Sequence, residues 1–317
     1  MTDPASQLAP GKTATIISAL VALIMLAASG YVLIRQFHGV SPGAVAAAIA
    51  AQPAGNVIAS LLFTAVSFAI LSSYDAFAVH MVAPRRVPLR TAVLAGASAN
   101  AIANVLGFHA ITATAVRLRI YGRAGLALGD IARVISLSGA AIGLSFVTTV
   151  AFALLAPRAA GGTFQYPDIL RPLLGASLLA ALVLLLAWLA KEQRTVTFFR
   201  FRIVLPPARL AAIQMGAGVV EMTAAIAALY VLLPADFAPP FAAFAVAMTV
   251  ALALGVAGST PGGVGVFEAA VVAMLGMKGR PDLLAALIVY RLAYYVLPFA
   301  LSLAALGIHE IAAARRR

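Results

Sequence analysis

The chain has no cysteine among its 317 residues, which excludes disulfides, thiol nucleophiles and cysteine metal sites. Charge is scarce too: 10% of residues are Asp, Glu, Lys or Arg, against 63% hydrophobic, and the mean hydropathy is +1.03. So little polar surface cannot cover a soluble globule, and the composition is that of an integral membrane protein. His38, His80, His109 and His309 are scattered, with no pair at helical spacing, which speaks against a metal centre. There is no phosphate-binding glycine loop ending in Lys-Ser or Lys-Thr, and no glycine fingerprint behind a strand, so neither an ATP-driven pump nor a dinucleotide enzyme is expected. No cofactor is expected either. Residues 1–13 lack the small-residue cleavage site of a signal peptide, and the apolar run after them is long enough to stay as an anchor.

What the chain does have is apolar length. A spanning helix needs about 20 apolar residues to cross roughly 30 Å of hydrocarbon. Six segments meet this: 15–34, 57–82, 131–156, 172–190, 210–233 and 283–308. Two further apolar regions, 89–121 and 241–277, are interrupted near the middle, at Gly107 and over 258–265. The half-segment 264–277 extends only about 21 Å at 1.5 Å per residue, short of a crossing. The expected fold is therefore all-α, with about six full transmembrane helices plus two re-entrant or broken helical hairpins, in a single polytopic domain spanning 1–317. Residues 41–56, rich in alanine with Pro42 and Pro53, read as an outer interfacial helix.

Charge placement suggests how the interrupted regions run, because cytoplasmic loops carry the excess of Lys and Arg. The clusters are Arg85, Arg86 and Arg90; Arg117, Arg119 and Arg123; Lys191, Arg194, Arg200, Arg202 and Arg209; and Arg315, Arg316 and Arg317. If each interrupted region dips in and returns to its own side, all four clusters and both termini fall on the cytoplasmic side, as in a multi-pass protein of a bacterial inner membrane. The outer side then keeps Arg35, Arg158, Arg171, Lys278 and Arg280. The result is two inverted halves, 14–156 and 172–308, with broken segments at matching positions, the sequence pointer to a transporter site near the midplane. The alternative for the second region is two tilted crossings.

The break Pro261-Gly262-Gly263-Val264-Gly265-Val266-Phe267-Glu268 lies between two membrane segments, where unpaired backbone groups are costly. The start of its second half-helix would present free N–H groups to a phosphate or carboxylate, with Gly262, Gly263 and Gly265 allowing close approach; the other reading is tight helix packing. Gly107 would supply a matching start from the opposite side. Ionisable residues inside apolar segments each cost about 2.5 to 3.5 kcal/mol at a helix centre. Arg291, Glu221 and Glu268 are such residues. Arg291 needs an anionic partner, either a lipid phosphate or a structural pairing with Glu268 or Glu221. Asp75 reads as a proton or cation site, or as an acid paired with a nearby arginine. Arg117, Arg119 and Tyr121 sit where a headgroup could be received, or serve to hold positive charge inside. Asn100 and Asn104 share a helix face.

These residues also resemble a known family. Gly107-Phe108, Thr112, the run Ala115-Val116-Arg117-Leu118-Arg119-Ile120-Tyr121, Gly125 and Asp130-Ile131 look like the signature of the flippase-type membrane region of lysylphosphatidylglycerol synthases. The Pro261 to Glu268 motif, Tyr290-Arg291-Leu292-Ala293-Tyr294-Tyr295 with Pro298, and Tyr74-Asp75 fit the same family in order along nearly the whole chain. The bifunctional synthases carry an aminoacyl-transfer domain after the membrane part, whereas this chain stops at Arg317. The resemblance thus implies the lipid-handling half: a flippase-like protein that moves or binds an anionic or aminoacylated phospholipid, or a related amphiphile, with Tyr294 among its site residues. Some short members are linked to hopanoid lipid pathways. The rivals are a membrane-embedded lipid-modifying enzyme using Glu268 or Glu221 as base, and a scaffold for lipid-synthesis enzymes.

The net charge of +12 has a membrane reading, since Lys191 to Arg209 interleaves bases with Phe198, Phe199 and Phe201, which suits an anionic leaflet. Without a solvated basic domain no nucleic-acid partner is expected. The run Gly139-Ala140-Ala141-Ile142-Gly143 offers a small-residue face for internal packing or a homodimer.

Overall fold

The computed structural model describes residues 31, 34, 38–156, 170–192, 194–198, 201–236, 238–257, 263–275 and 279–314. These form an all-α membrane protein, as expected from composition. Six helices are long and apolar enough to cross a membrane: Ala54–Val82, Leu89–Leu106, Leu128–Leu155, Leu170–Lys191, Ala208–Tyr230 and the continuous Pro281–His309. Five of these match expected spans; Leu89–Leu106 is instead the first leg of an interrupted region. Apart from residues 31 and 34, the expected span 15–34 lies outside the described residues.

Helix α1 (Pro42–Ala50) is a short helix within the expected 41–56 element, capped by Ser41 Oγ, which accepts from the Ala44 N–H at 3.2 Å, with Pro42 in the first turn. It packs on α10 (Pro281–Arg291). Helix α2 (Ala54–Val82) shows how the bundle is sorted. Ser60, Thr64, Ser67, Leu71, Tyr74, Asp75 and Ala78 recur every three or four residues on its buried face, while Ile58, Leu62, Val66 and Phe77 point outward. In lipid, large apolar side chains lose nothing by facing out, so small and polar ones mark the helix contacts.

Side-chain bonds fix the relative directions of the central helices. Ser67 meets Glu221 and Tyr74 meets Gln214, so α2 and α7 (Ala208–Tyr230) are antiparallel. Tyr74 also meets Ser145 of α5 (Leu128–Leu155) at 2.9 Å, and Ala78 packs with Leu137, which makes α5 antiparallel to α2 as well. The α5 and α7 backbones come close because of Gly218: a Cβ there would lie 1.9 Å from Ser145 Oγ. Helix α6 (Leu170–Lys191) packs on α5 and α7. It is joined to α7 by an antiparallel ribbon of β1 (Thr195–Phe198) and β2 (Phe201–Val204), with Thr195 opposite Val204. Phe199 and Arg200 of the basic stretch lie outside the described residues.

Both interrupted regions are helical hairpins. In the first, α3 (Leu89–Leu106) returns as α4 (His109–Arg123), with Ala99 and Ala103 packed on Ala113. The turn is made by Gly107 at φ 75 and ψ −164, open only to glycine, and by Phe108 in the left-handed region at φ 46. Thr112 Oγ1 donates to the Gly107 carbonyl at 2.8 Å. Ala83 and Val87 before the hairpin share a cluster with Leu126 and Ile131 after it, and Arg86 reaches Asp130 at 3.7 Å. The chain therefore leaves by the face where it came in.

The second hairpin, α8 (Phe241–Ala257) and α9 (Val266–Leu275), packs Met248 and Ala251 against Phe267 and Val271. Its two flanks are tied by Arg280, which bonds Asp236 through both guanidinium ends at 3.0 and 3.1 Å. That hydrogen bonding holds the Asp236 carboxyl below the usual carboxylate range. Because α2 and α7 are antiparallel, the two hairpins start from opposite faces. At 1.5 Å per residue α4 and α9 reach about 22 and 15 Å, less than the roughly 30 Å hydrocarbon core, whereas α3 attains about 27 Å.

The last helix runs through α10, a π-helical turn at Leu292–Val296 and α11 (Leu297–Ala314). Pro298 has no N–H to give the Tyr294 carbonyl, and its ring crowds that group. The wider turn just before it, closed by the Leu297 N–H to the Leu292 carbonyl, accommodates the mismatch. It also brings Tyr294 and Tyr295 next to Arg291 on the inner side.

Candidate site at the last helix

The π turn gathers the intramembrane charge. Arg291 Nε donates to Glu268 Oε1 at 2.5 Å, and the guanidinium lies over the Tyr295 ring at 4.3 Å and the Phe267 ring at 5.3 Å. Both charged side chains are largely covered, with 16% and 12% of their surface exposed. The remaining Glu268 oxygen accepts from the Gly265 N–H at 2.8 Å. The start of α9 is thus capped by its own first-turn acid, where a carboxylate is favoured by the helix dipole. An external anion would meet Arg291 and a neutralised helix start, and not the bare cradle of N–H groups that the glycines suggested. Gly263, at φ 61, packs on Gly255 across the hairpin, and Gly265 is buried. Pro261 and Gly262 lie outside the described residues.

A second acid lies on the other side of the same turn. Ser67 Oγ donates to Glu221 Oε1 at 2.8 Å and shares a 2.8 Å hydrogen bond with the Tyr294 hydroxyl. Tyr290 stacks on Tyr294 at 5.3 Å and on Phe267 at 6.0 Å. Its buried hydroxyl has no hydrogen-bond partner among the described residues. Of the two acids considered for Arg291, the structure pairs it with Glu268 and links Glu221 to Tyr294 through Ser67.

The remaining expected residues form a separate group. Arg117 holds Asp75 through two parallel hydrogen bonds, Nε to Oδ1 at 2.8 Å and Nη2 to Oδ2 at 2.6 Å, and Tyr121 donates to Oδ1 at 2.9 Å. Asp75 is fully enclosed and Arg117 nearly so. Gly96 admits this contact, since a Cβ there would lie 3.0 Å from Asp75 Cβ. Bidentate geometry with a third donor makes this a closed clamp between α2 and the first hairpin, so Asp75 follows the paired-acid reading. Arg119 is exposed, and Gly107 forms the hairpin tip. Among the described residues the two hairpins share no extensive contact, so the site residues fall into two groups and not one.

Ser67, Phe267 and Tyr295 were not singled out individually from sequence. The available signal for Ser67 was its place with Ser60 and Thr64 on one face of α2. Nothing local distinguishes Phe267 or Tyr295 from other aromatics in apolar runs.

Helices sorted in this way, with two hairpins set from opposite faces, define a multi-pass helical membrane protein. No family model matches the chain. It is similar to an uncharacterised protein of Synechocystis sp., with 26% identity over 254 residues that cover 79% of this chain and 78% of that protein.

Proposed function

We propose that the protein moves an amphiphile with an anionic headgroup, a phospholipid or a related lipid, between the two leaflets of a bilayer. The observation that carries this reading is the Arg291–Glu268 pair at the start of a short half-helix inside the bundle. An intramembrane arginine paired with an acid on a broken segment is costly unless it serves a passage or an ion pair that opens. Hairpins set from opposite faces supply the two-sided arrangement that alternating access requires. In this mechanism the headgroup phosphate replaces Glu268 on Arg291, while Tyr295 and Phe267 keep the guanidinium in place from its faces. The same motifs, which resemble the membrane region of lysylphosphatidylglycerol synthases, point toward lipid handling too. By the excess of Lys and Arg, we assign the face of the first hairpin to the cytoplasm of a bacterial inner membrane.

The test is lipid movement in liposomes holding the purified chain and phosphatidylglycerol labelled with nitrobenzoxadiazole, with dithionite bleaching the outer leaflet. The expected result is full bleaching with wild type and half bleaching with Arg291→Ala, whose folding is checked by its melting curve. Wild type that bleaches no further than protein-free liposomes overturns the proposal.

A further inference from the structure

Glu221 sits near the middle of α7 and is 6% exposed. No cation pairs with it among the described residues, and the bond it receives comes from the Ser67 hydroxyl. The titratable groups that sense its charge are Tyr74 of α2, Tyr290 of α10 and Tyr294 of the π turn. The other elements packed on α7 add none nearby. Helix α8 has no ionisable residue, and α5 and α6 keep Asp130, Arg133, Arg171 and Lys191 near their ends. The charged groups of α2 and α10 are Asp75, which Arg117 holds, Arg291, which Glu268 holds, and His80 and Asp282 near the helix ends. Glu221 is therefore unlike Asp75 and Glu268, each of which has its arginine.

A carboxyl in hydrocarbon without a cation is far cheaper to keep neutral than charged. A metal cation would need a cage of oxygens, and no group of three His, Asp or Glu side chains exists among the described residues. A proton needs only one oxygen. The hydroxyl chain next to Glu221 also responds to that proton. Ser67 has a single hydrogen, so when it donates to an ionised Glu221, Tyr294 must donate to Ser67. A proton added to Glu221 Oε1 reverses both bonds. Glu221 then donates to Ser67, Ser67 donates to Tyr294, and the Tyr294 hydrogen must turn to another acceptor. Tyr294 is three residues beyond Arg291, within the π turn.

We propose that Glu221 is a proton-binding site whose occupancy is coupled, through Ser67 and Tyr294, to the hold of the last helix on Arg291 and Glu268. The proton comes from water at one face, adds to a carboxylate oxygen and leaves again, with no other bond made or broken. The coupling to transport rests on the translocation reading; the protonation itself does not.

Two measurements on the full chain separate these claims. Infrared difference spectra of the protein in lipid nanodiscs, taken across a pH series, are expected to show the carbonyl stretch of a protonated carboxylic acid. That band should be absent in Glu221→Gln and shifted in Ser67→Ala, which keeps the carboxyl and tests the hydroxyl chain if Glu221→Gln fails to fold. A band unchanged by Glu221→Gln, or unmoved by Ser67→Ala, overturns the site or its hydroxyl link respectively. In liposomes, an imposed pH gradient is expected to change the rate of labelled phosphatidylglycerol movement by at least about fivefold, the low end of usual site-to-site coupling, and Glu221→Gln should abolish that response. The same acceleration from a sodium gradient at equal pH overturns the proton assignment. If the Glu221 band is present and wild type moves no lipid, the translocation reading falls and the proton site stands.

Discussion

Asp75 and Glu268 are both intramembrane acids paired with an arginine, and their surroundings give them different work. Asp75 accepts three hydrogen bonds and is sealed by Gly96, Tyr121 and Arg117. A pair so enclosed holds helices together, and losing one partner leaves a buried charge with no compensation. Arg117→Ala should therefore destabilise the protein by about 3 to 5 kcal/mol, read as a lower melting temperature in detergent. Replacing both residues, Asp75→Leu with Arg117→Met, should lose much less. A double variant as unstable as Arg117→Ala would mean that the clamp contributes through its geometry and not its charge. Glu268 and Arg291, in contrast, keep some exposure and stand on aromatic faces, which leaves room for exchange of partner. In the sequence both are acids inside apolar segments; the donors and the enclosure around each separate them.

At the scale of the element, the close approach of α5 and α7 depends on one missing side chain. A Cβ at Gly218 would lie 2.0 Å from Ser145 Cβ, far inside contact distance, so the helices would have to separate. Gly218→Ala is expected to cost about 1 to 3 kcal/mol, the usual range for overpacking, and adding Ser145→Gly should restore part of it. Full tolerance of Gly218→Ala in a melting experiment would show that α5 and α7 do not meet there. The hairpins tell a similar story of partial legibility. Gly107 marked its turn in the sequence, because it interrupts the apolar run 89–121 near its middle. The π turn at Leu292–Val296 left only Pro298 as a trace, since a widened turn changes hydrogen-bond register without changing hydrophobicity. Gly139 and Gly143, read as a packing or dimer face, meet no other described residue, for an added Cβ at either has no neighbour within 4 Å among them.

For the whole molecule, the decisive feature is that each hairpin returns to its own face and that the two faces are opposite. The chain has no cysteine of its own, so single cysteines report sidedness directly. Arg86→Cys and Ala127→Cys, which flank the first hairpin, should react with an impermeant maleimide from one side of sealed vesicles. Ala51→Cys and Ala235→Cys, at the other ends of α2 and α7, should react only from the other side. Labelling of all four from one side would overturn the architecture.

Composition alone settled the class: with 63% hydrophobic residues, this chain is stable only where lipid covers it. Segment length then determined the spanning helices, because crossing a bilayer sets a fixed length. The two glycine interruptions marked where the backbone breaks, since broken backbone must be sheltered, and left a hairpin or two tilted crossings open for the second. The charges told which residues need partners. They did not tell which partners, and there the tertiary structure decided. Ser67 and Glu221 are 154 residues apart and meet only because α2 and α7 run antiparallel in one register. Hydrophobic periodicity reports which face of a helix is inward. Which helix stands opposite, and at what height, is a property of the packed bundle, and it is this that gives Arg291 to Glu268 and leaves Glu221 to a hydroxyl chain.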